Sequence, residues 1–212
     1  SVGLTTVTYT VMDLSGNVSE FPFTAEVLDN HLPEIVGIPE TISTVTDPGL
    51  CTAVVEWVEP IPEDDCEIVS FLSTHTNGGV FPVGSTVVSY TVIDSSGLET
   101  TETFTINVED DQAPEFTAVP TSTTLGNDPD VCGAIVTWAG PAAADNCGME
   151  SITSTRESGS FFDLGTTAVT VTAVDVNGNV TEHSFEITVN DTQLPSLAGV
   201  PEDMTVGSDP TQ

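Results

Sequence analysis

The sequence predicts an all-β protein built as a linear array of antiparallel β-sandwiches, and three observations carry that reading. The chain repeats every 81 residues without insertion or deletion: Gly3, Gly84 and Gly165 step by 81 (84 − 3 = 165 − 84 = 81), as do Asp13, Asp94 and Asp175, and Phe23, Phe104 and Phe185. Each period holds short runs of Val, Thr, Ile and Phe separated by turn residues, the pattern of strands joined by tight turns. The composition, 38% hydrophobic with two Trp and nine Phe, suffices for small cores and is far from that of a disordered chain. A fixed period means like modules in line, an architecture that spans distance rather than one that does chemistry.

The period sets the domains. Residues 1–30 read as the C-terminal part of a repeat, 31–111 and 112–192 as two complete repeats, and 193–212 as the N-terminal part of another. Half a sandwich leaves open sheet edges, so the chain reads as a window on a longer protein.

Within residues 31–111 strands are expected at Glu34 to Ile38 and Thr41 to Thr46, then, after the turn Asp47-Pro48-Gly49, at Thr52 to Val58 and Ile68 to Thr74. The turn Asn77-Gly78-Gly79 leads into Val80 to Val83 and Thr86 to Ile93, and Asp94-Ser95-Ser96-Gly97 into Thr101 to Val108. Alternation marks a half-buried strand: Phe104, Ile106 and Val108 fall on one face, Thr103, Thr105 and Asn107 on the other. Seven short strands with evenly spaced turns in about 80 residues point to a sandwich of immunoglobulin type.

The runs Gly79-Val80-Phe81-Pro82-Val83-Gly84, Val88-Ser89-Tyr90-Thr91-Val92-Ile93-Asp94-Ser95-Ser96-Gly97 and Phe104-Thr105-Ile106-Asn107-Val108 resemble the hyalin repeat, or HYR, module. So do Ala134-Ile135-Val136-Thr137-Trp138 and Pro141 followed by Asp145-Asn146-Cys147. The resemblance implies an immunoglobulin-like extracellular module, found in tandem in adhesive proteins and, in bacteria, in very large secreted surface proteins. One departure stands out. Many such modules carry a Cys before the first-strand Pro and another near the last strand, whereas this chain has Ile38 and Val119 at the first place and Phe21, Glu102 and His183 at the second.

Modules of about 80 residues sit where a core alone supplies only ~3–5 kcal/mol, so further staples are expected. Two are visible. Cys51 and Cys132, and Cys66 and Cys147, recur at the 81-residue step, and repeat symmetry favours the pairs Cys51–Cys66 and Cys132–Cys147 over reduced, buried thiols; zinc fits less well because no His recurs with the period. Loops of about 15 residues would gain ~3 kcal/mol each, and paired cysteines place the protein outside the cell, at the surface or secreted.

The other staple is charge. There are 33 acidic residues against one basic residue, a formal charge of −32, which repels nucleic acid and anionic membranes and attracts cations. No stretch approaches the ~20 apolar residues of a membrane span, so direct insertion is not expected. In an immunoglobulin-like path the last strand ends at the bottom of one module and feeds the top of the next, where the turn between the sixth and seventh strands also lies. Asp110, Asp111 and Glu115 are therefore expected near Asp175, and Asp29, Asn30 and Glu34 near Asp94. Such gatherings of oxygens suit Ca²⁺. Asp64 and Asp65, with Asp145 and Asn146, are a less certain source of ligands, because a Cys51–Cys66 disulfide would draw their loop toward the opposite end. The plainer reading is that each Asp heading Asp-x-x-Gly is an Asx-turn residue and the linker acids are solvated charge.

Trp57 and Trp138 read as core. Asn17, Asn179 and Asn190 fit the glycosylation sequon, a short pattern in a Thr-rich chain. His31, His75 and His183 occupy different repeat positions, no nucleophile-base pair is spaced for catalysis, and no phosphate loop appears, so no enzyme is expected. A stalk or filament segment of a giant extracellular surface protein is the favoured reading, its repeats partnering one another, with any surface glycan or protein bound through other regions. An adhesin module that itself binds a glycan or protein would show exposed aromatics or a patch that breaks the period, and a spacer of a secreted enzyme differs from a stalk only in its flanking sequence.

Overall fold

All seven strands expected in residues 31–111 form, their ends moved by up to three residues, and the next period repeats them. The protein is described by a computed structural model covering residues 2–199, 203 and 205, and it divides into two units, Ser1–Gln112 and Ala113–Gln212. Of residues 193–212, expected to open a further repeat, only 193–199, 203 and 205 are among those described.

The first unit begins with a hairpin of β1 (Gly3–Met12) and β2 (Val18–Val27), paired antiparallel from Gly3↔Val27 to Met12↔Val18. The module follows as β3 (Glu34–Val36), β4 (Ile42–Val45), β5 (Thr52–Val55), β6 (Ile61–Glu63), β7 (Ile68–Ser73), β8 (Gly79–Pro82), β9 (Gly84–Asp94) and β10 (Glu99–Glu109). One sheet runs β4-β10-β9-β7, and the opposing layer holds the pairs β5-β8 and β3-β6. The second unit copies this with β11 (Glu115–Ala118), β12 (Thr123–Gly126), β13 (Gly133–Val136), β14 (Ala142–Ala144), β15 (Met149–Ser154), β16 (Ser160–Asp163), β17 (Gly165–Asp175) and β18 (Val180–Asn190), in the sheets β12-β18-β17-β15, β13-β16 and β11-β14.

Two features depart from the sequence reading. Strand β6 lies outside the expected runs; Pro62 at its centre offers no N–H, and the strand pairs only with β3, where an edge position tolerates that loss. The sandwich is also not wholly antiparallel: β4 lies parallel to β10, Ile42 opposite Ile106 and Val45 opposite Glu109. The turn at Asp47 brings the chain from this edge into the opposing layer, its N–H donating to the Thr52 carbonyl.

The core sits between the layers. Alternation on β9 and β10 buries Val88, Tyr90, Val92, Phe104, Ile106 and Val108 against Ala53 and Val55 of β5, Phe81 of β8 and Ile35 of β3. Trp57 stands edge-on to Phe81 and Phe104, 6.1 and 5.4 Å between ring centres. The second unit repeats this with Trp138 on Phe162 and Phe185; Trp57 is core as expected, whereas Trp138 is partly buried and packs against the edge of its core. Losing a buried Phe of this kind costs about 3–5 kcal/mol, so the aromatic cluster is the largest packing element of each module.

Candidate functional site: a carboxylate cluster at the head of the module

The head of the first module is built by three short segments whose backbones hold them together. The β9–β10 turn is fixed by Asp94, whose Oδ1 accepts the N–H groups of Ser96 and Leu98, each at 2.8 Å, the Asx geometry expected of Asp-x-x-Gly. The loop before β7 is tied to that turn by the Ser95 N–H donating to the Glu67 carbonyl, and Asp64 Oδ2 accepts the Cys66 N–H at 3.1 Å. The segment after β2 contributes Asp29, which accepts from the His31 N–H at 3.0 Å and the Ser96 hydroxyl at 3.2 Å.

The result is a cluster in which Asp29, Asp64, Asp65 and Cys66 each place a ligand atom within 4.8 Å of the others. Asp64 has a fully buried side chain, and Asp94 is 1% exposed. Asp64 Oδ1 and Asp94 Oδ2 are buried yet make no hydrogen bond; the His31 Nδ1 lies 3.6 Å from that Asp64 oxygen. The Cys66 thiol shapes the charge here. Its hydrogen bond to Asp29, then burial and the charges of Asp29, Asp65 and Asp64 push it up to about 12, while the same bond and the His31 N–H hold Asp29 below the usual carboxylate range. The cluster is thus a group of carboxylates beside a protonated thiol, a hard-oxygen set in which sulfur is a poor ligand.

Asp64 and Asp65, the less certain ligands on sequence grounds, lie inside this cluster, while Asn30 is exposed and Glu34, opposite Glu63 in the β3-β6 pair, is not among the groups gathered there. Sequence reasoning missed Cys66 and His31, though the adjacency Asp64-Asp65-Cys66 was the available signal. In the second unit Asp175 is wholly buried and accepts from the Asn177 N–H, the Asn179 N–H and the Asn179 amide, each at 2.8 Å. Burial alone would raise Asp175, but these bonds outweigh it and hold it below the usual range. Asp145 accepts from the N–H groups of Cys147 and Gly148, and Asn146 lies beside the Cys147 sulfur. In the first unit Asp110 is buried and accepts from the Thr46 hydroxyl and the Gln112 N–H. Asp111 is exposed, and Glu115 opens β11 with an exposed side chain.

The expected disulfides are corrected. Cys66 and Cys132 are free thiols, whereas Cys51 and Cys147 are the disulfide-bonded cysteines, so neither Cys51–Cys66 nor Cys132–Cys147 forms. The reason is the length of the module. Cys51 precedes β5 near the Glu109 end of β10, where Thr46 bonds the Glu109 carbonyl, and Cys66 lies at the Asp94 end. The ten steps from Glu99 to Glu109 at ~3.3 Å each separate these ends by about 33 Å, and a disulfide spans Cα atoms only ~7 Å apart. Repeat symmetry was a sound guide to which cysteines are equivalent and a poor one to which are near.

The HYR domain matches residues 28–108 and 109–189, two adjacent copies covering most of the chain. The chain belongs to the HYR domain family. It is 34% identical over 226 residues to hyalin of Strongylocentrotus purpuratus, covering 100% of this chain and 19% of that protein, and 36% identical over 205 residues to hyalin of Lytechinus variegatus, covering 92% and 39%. These relatives are sea-urchin proteins, so the HYR resemblance stands without the bacterial setting attached to it. Among solved structures, that of protocadherin Gamma C5 has a TM-score of 0.36 and 13% identity, covering 88% of this chain and 77% of that one. The HYR modules therefore span a minor part of the hyalins they match, and each carries at its head the same kind of acidic turn, at Asp94 and at Asp175.

Proposed function

We propose that this chain is a stalk segment of an extracellular surface protein, non-catalytic in itself, whose HYR modules are stiffened by Ca²⁺ bound at their heads. One observation carries the reading: Asp64 Oδ1 and Asp94 Oδ2 are buried and make no hydrogen bond, Asp64 lying within the cluster with Asp29 and Asp65 and Asp94 beside Asp29. A buried carboxylate oxygen without a donor is costly, and a chain of charge −32 with no lysine has almost no side-chain cation to offset it. A divalent cation held by Asp29, Asp64, Asp65 and Asp94 removes that cost and fixes the segment after β2 against the module that follows it. Within the second unit the 81-residue counterparts of Asp64, Asp65 and Asp94 are Asp145, Asn146 and Asp175. Extracellular modules hold Ca²⁺ at ~10⁻⁴–10⁻³ M, so such sites fill only outside the cell; the disulfide and the relation to hyalin support that location.

At ten times the dissociation constant, binding to the folded state alone adds about 1.4 kcal/mol. Melting and small-angle scattering with Ca²⁺ and with EDTA test the proposal. A higher melting temperature and a changed maximum dimension with Ca²⁺, the melting shift lost in Asp64→Asn, support it. Identical curves in both buffers leave a passive acidic stalk.

A further inference from the structure

The two modules are internal controls for each other, and one place breaks their symmetry. In the first module Tyr90 stacks on Phe71 with ring centres 5.4 Å apart, accepts a hydrogen bond from the Trp57 indole N–H at 2.7 Å, and donates to Glu59. These side chains close the space beside the indole, and Trp57 is buried. One period on, Tyr90 becomes Val171, Phe71 becomes Ile152 and Glu59 becomes Gly140, while the Trp and its two Phe neighbours remain. At these three places two rings and a carboxylate give way to two aliphatic side chains and a glycine. Trp138 is correspondingly half-buried, and a cavity of about 230 Å³ whose lining includes Trp138, Gly140, Ile152, Arg156, Glu157 and Ser158 opens beside it.

The rim differs as well. His75, which packs on Phe81 in the first module, is replaced by Arg156, the chain's single Lys or Arg. The loop that carries it is held in place: the Ser154 hydroxyl donates to the Arg156 carbonyl at 2.7 Å, and the Ser158 hydroxyl accepts from the Trp138 N–H at 2.8 Å and donates to the Trp138 carbonyl at 3.0 Å. An indole lining a cavity, with fixed hydroxyls and one guanidinium beside Glu157, is the chemistry that takes a sugar ring bearing a carboxylate, the ring against the Trp and the acid on the fork of the Arg. The volume is below the ~300–1,000 Å³ of a drug-sized cleft and suits one ring.

We infer that the second module carries a binding site for a terminal acidic sugar, formed by Trp138 and Arg156, which the first module lacks. The site is independent of the stalk reading and of Ca²⁺. Its test is titration of the whole chain, in EDTA, with methyl glucuronide and separately with methyl glucoside, following the two indole N–H resonances. The glucuronide shifts the Trp138 signal and leaves Trp57 in place; the glucoside binds about tenfold or more weaker, because it lacks the charge-assisted bond. Arg156→His, which installs the first module's residue at an exposed position, removes that preference at pH 8. Gly140→Glu with Val171→Tyr, which restores the first module's filling, abolishes the shift while the unchanged Trp57 signal and a retained second-unit melting transition report an intact fold. An unmoved Trp138 resonance, equal binding of the two glycosides, or binding that survives the filled cavity each overturns the inference.

Discussion

Replacing Tyr90 by Phe removes one oxygen from the centre of the first module and leaves every ring in place, so its effect can be worked out. That hydroxyl accepts from the Trp57 indole N–H at 2.7 Å and donates to Glu59. Glu59 is exposed and regains water when the partner is lost, so its share of the cost is small. The Trp57 N–H sits in a residue 9% exposed and is left as a buried donor without an acceptor, which costs ~1–3 kcal/mol. A loss of about 2 kcal/mol at roughly 4–8 °C per kcal/mol lowers the melting temperature of the first unit by ~8–16 °C. Calorimetry of the whole chain reads this directly, with the second unit, which has Val171 in this place, as the unshifted control. The pH dependence gives a second check. Burial, then the hydrogen bond to Glu59, raises Tyr90 above its ordinary value, so the phenol favours the folded state below the unfolded value of ~10, and that contribution is lost as the pH climbs through the raised folded value. Wild-type stability therefore falls above pH ~10 more steeply than that of the Phe variant. A shift under ~2 °C, or a shift in the second unit, refutes the account of this hydrogen bond.

Asp175 is held below the usual carboxylate range by its turn bonds, so its contribution is present above pH ~4 and disappears as the pH falls through the lowered folded value; Asp175→Asn makes the second unit's melting temperature lower at pH 7 and flatter on acidification, and parallel pH profiles for variant and wild type count against this. Iodoacetamide at pH 8 labels exposed Cys132 well before Cys66, whose thiol is pushed up to about 12 beside Asp29, and spares Cys51 and Cys147 until reduction; peptide mass mapping checks the order, and equal rates at the two thiols contradict the Asp29 hydrogen bond. Gly133→Ala places a Cβ 2.4 Å from the Phe162 carbonyl and 2.3 Å from the Phe161 ring, so it destabilises the second unit by ~1–3 kcal/mol, measured by urea unfolding, whereas Thr52→Ala at the equivalent position of the first unit costs less.

The sequence alone determined the modules, their strands and the inward faces. Period and alternation are local properties, and a strand with Phe104, Ile106 and Val108 on one side buries that side whatever else the chain does. The Asx turns at Asp94 and Asp175 were legible for the same reason, since four consecutive residues suffice to make them. Only the tertiary structure decided what lies near what. It laid β4 parallel to β10, found an edge for the Pro62 strand, and kept Cys51 and Cys66 at opposite ends of the module, because the direction of each strand sets the distance between residues the repeat makes equivalent. The same holds for the site: Asp64 and Asp65 enter the carboxylate cluster because the Glu67 carbonyl anchors their loop to the Asp94 turn. The opening beside Trp138 was likewise written in the sequence as three substitutions at separated positions, but they lie side by side only once β15 and β17 pair across the sheet and the Gly140 loop packs beside them.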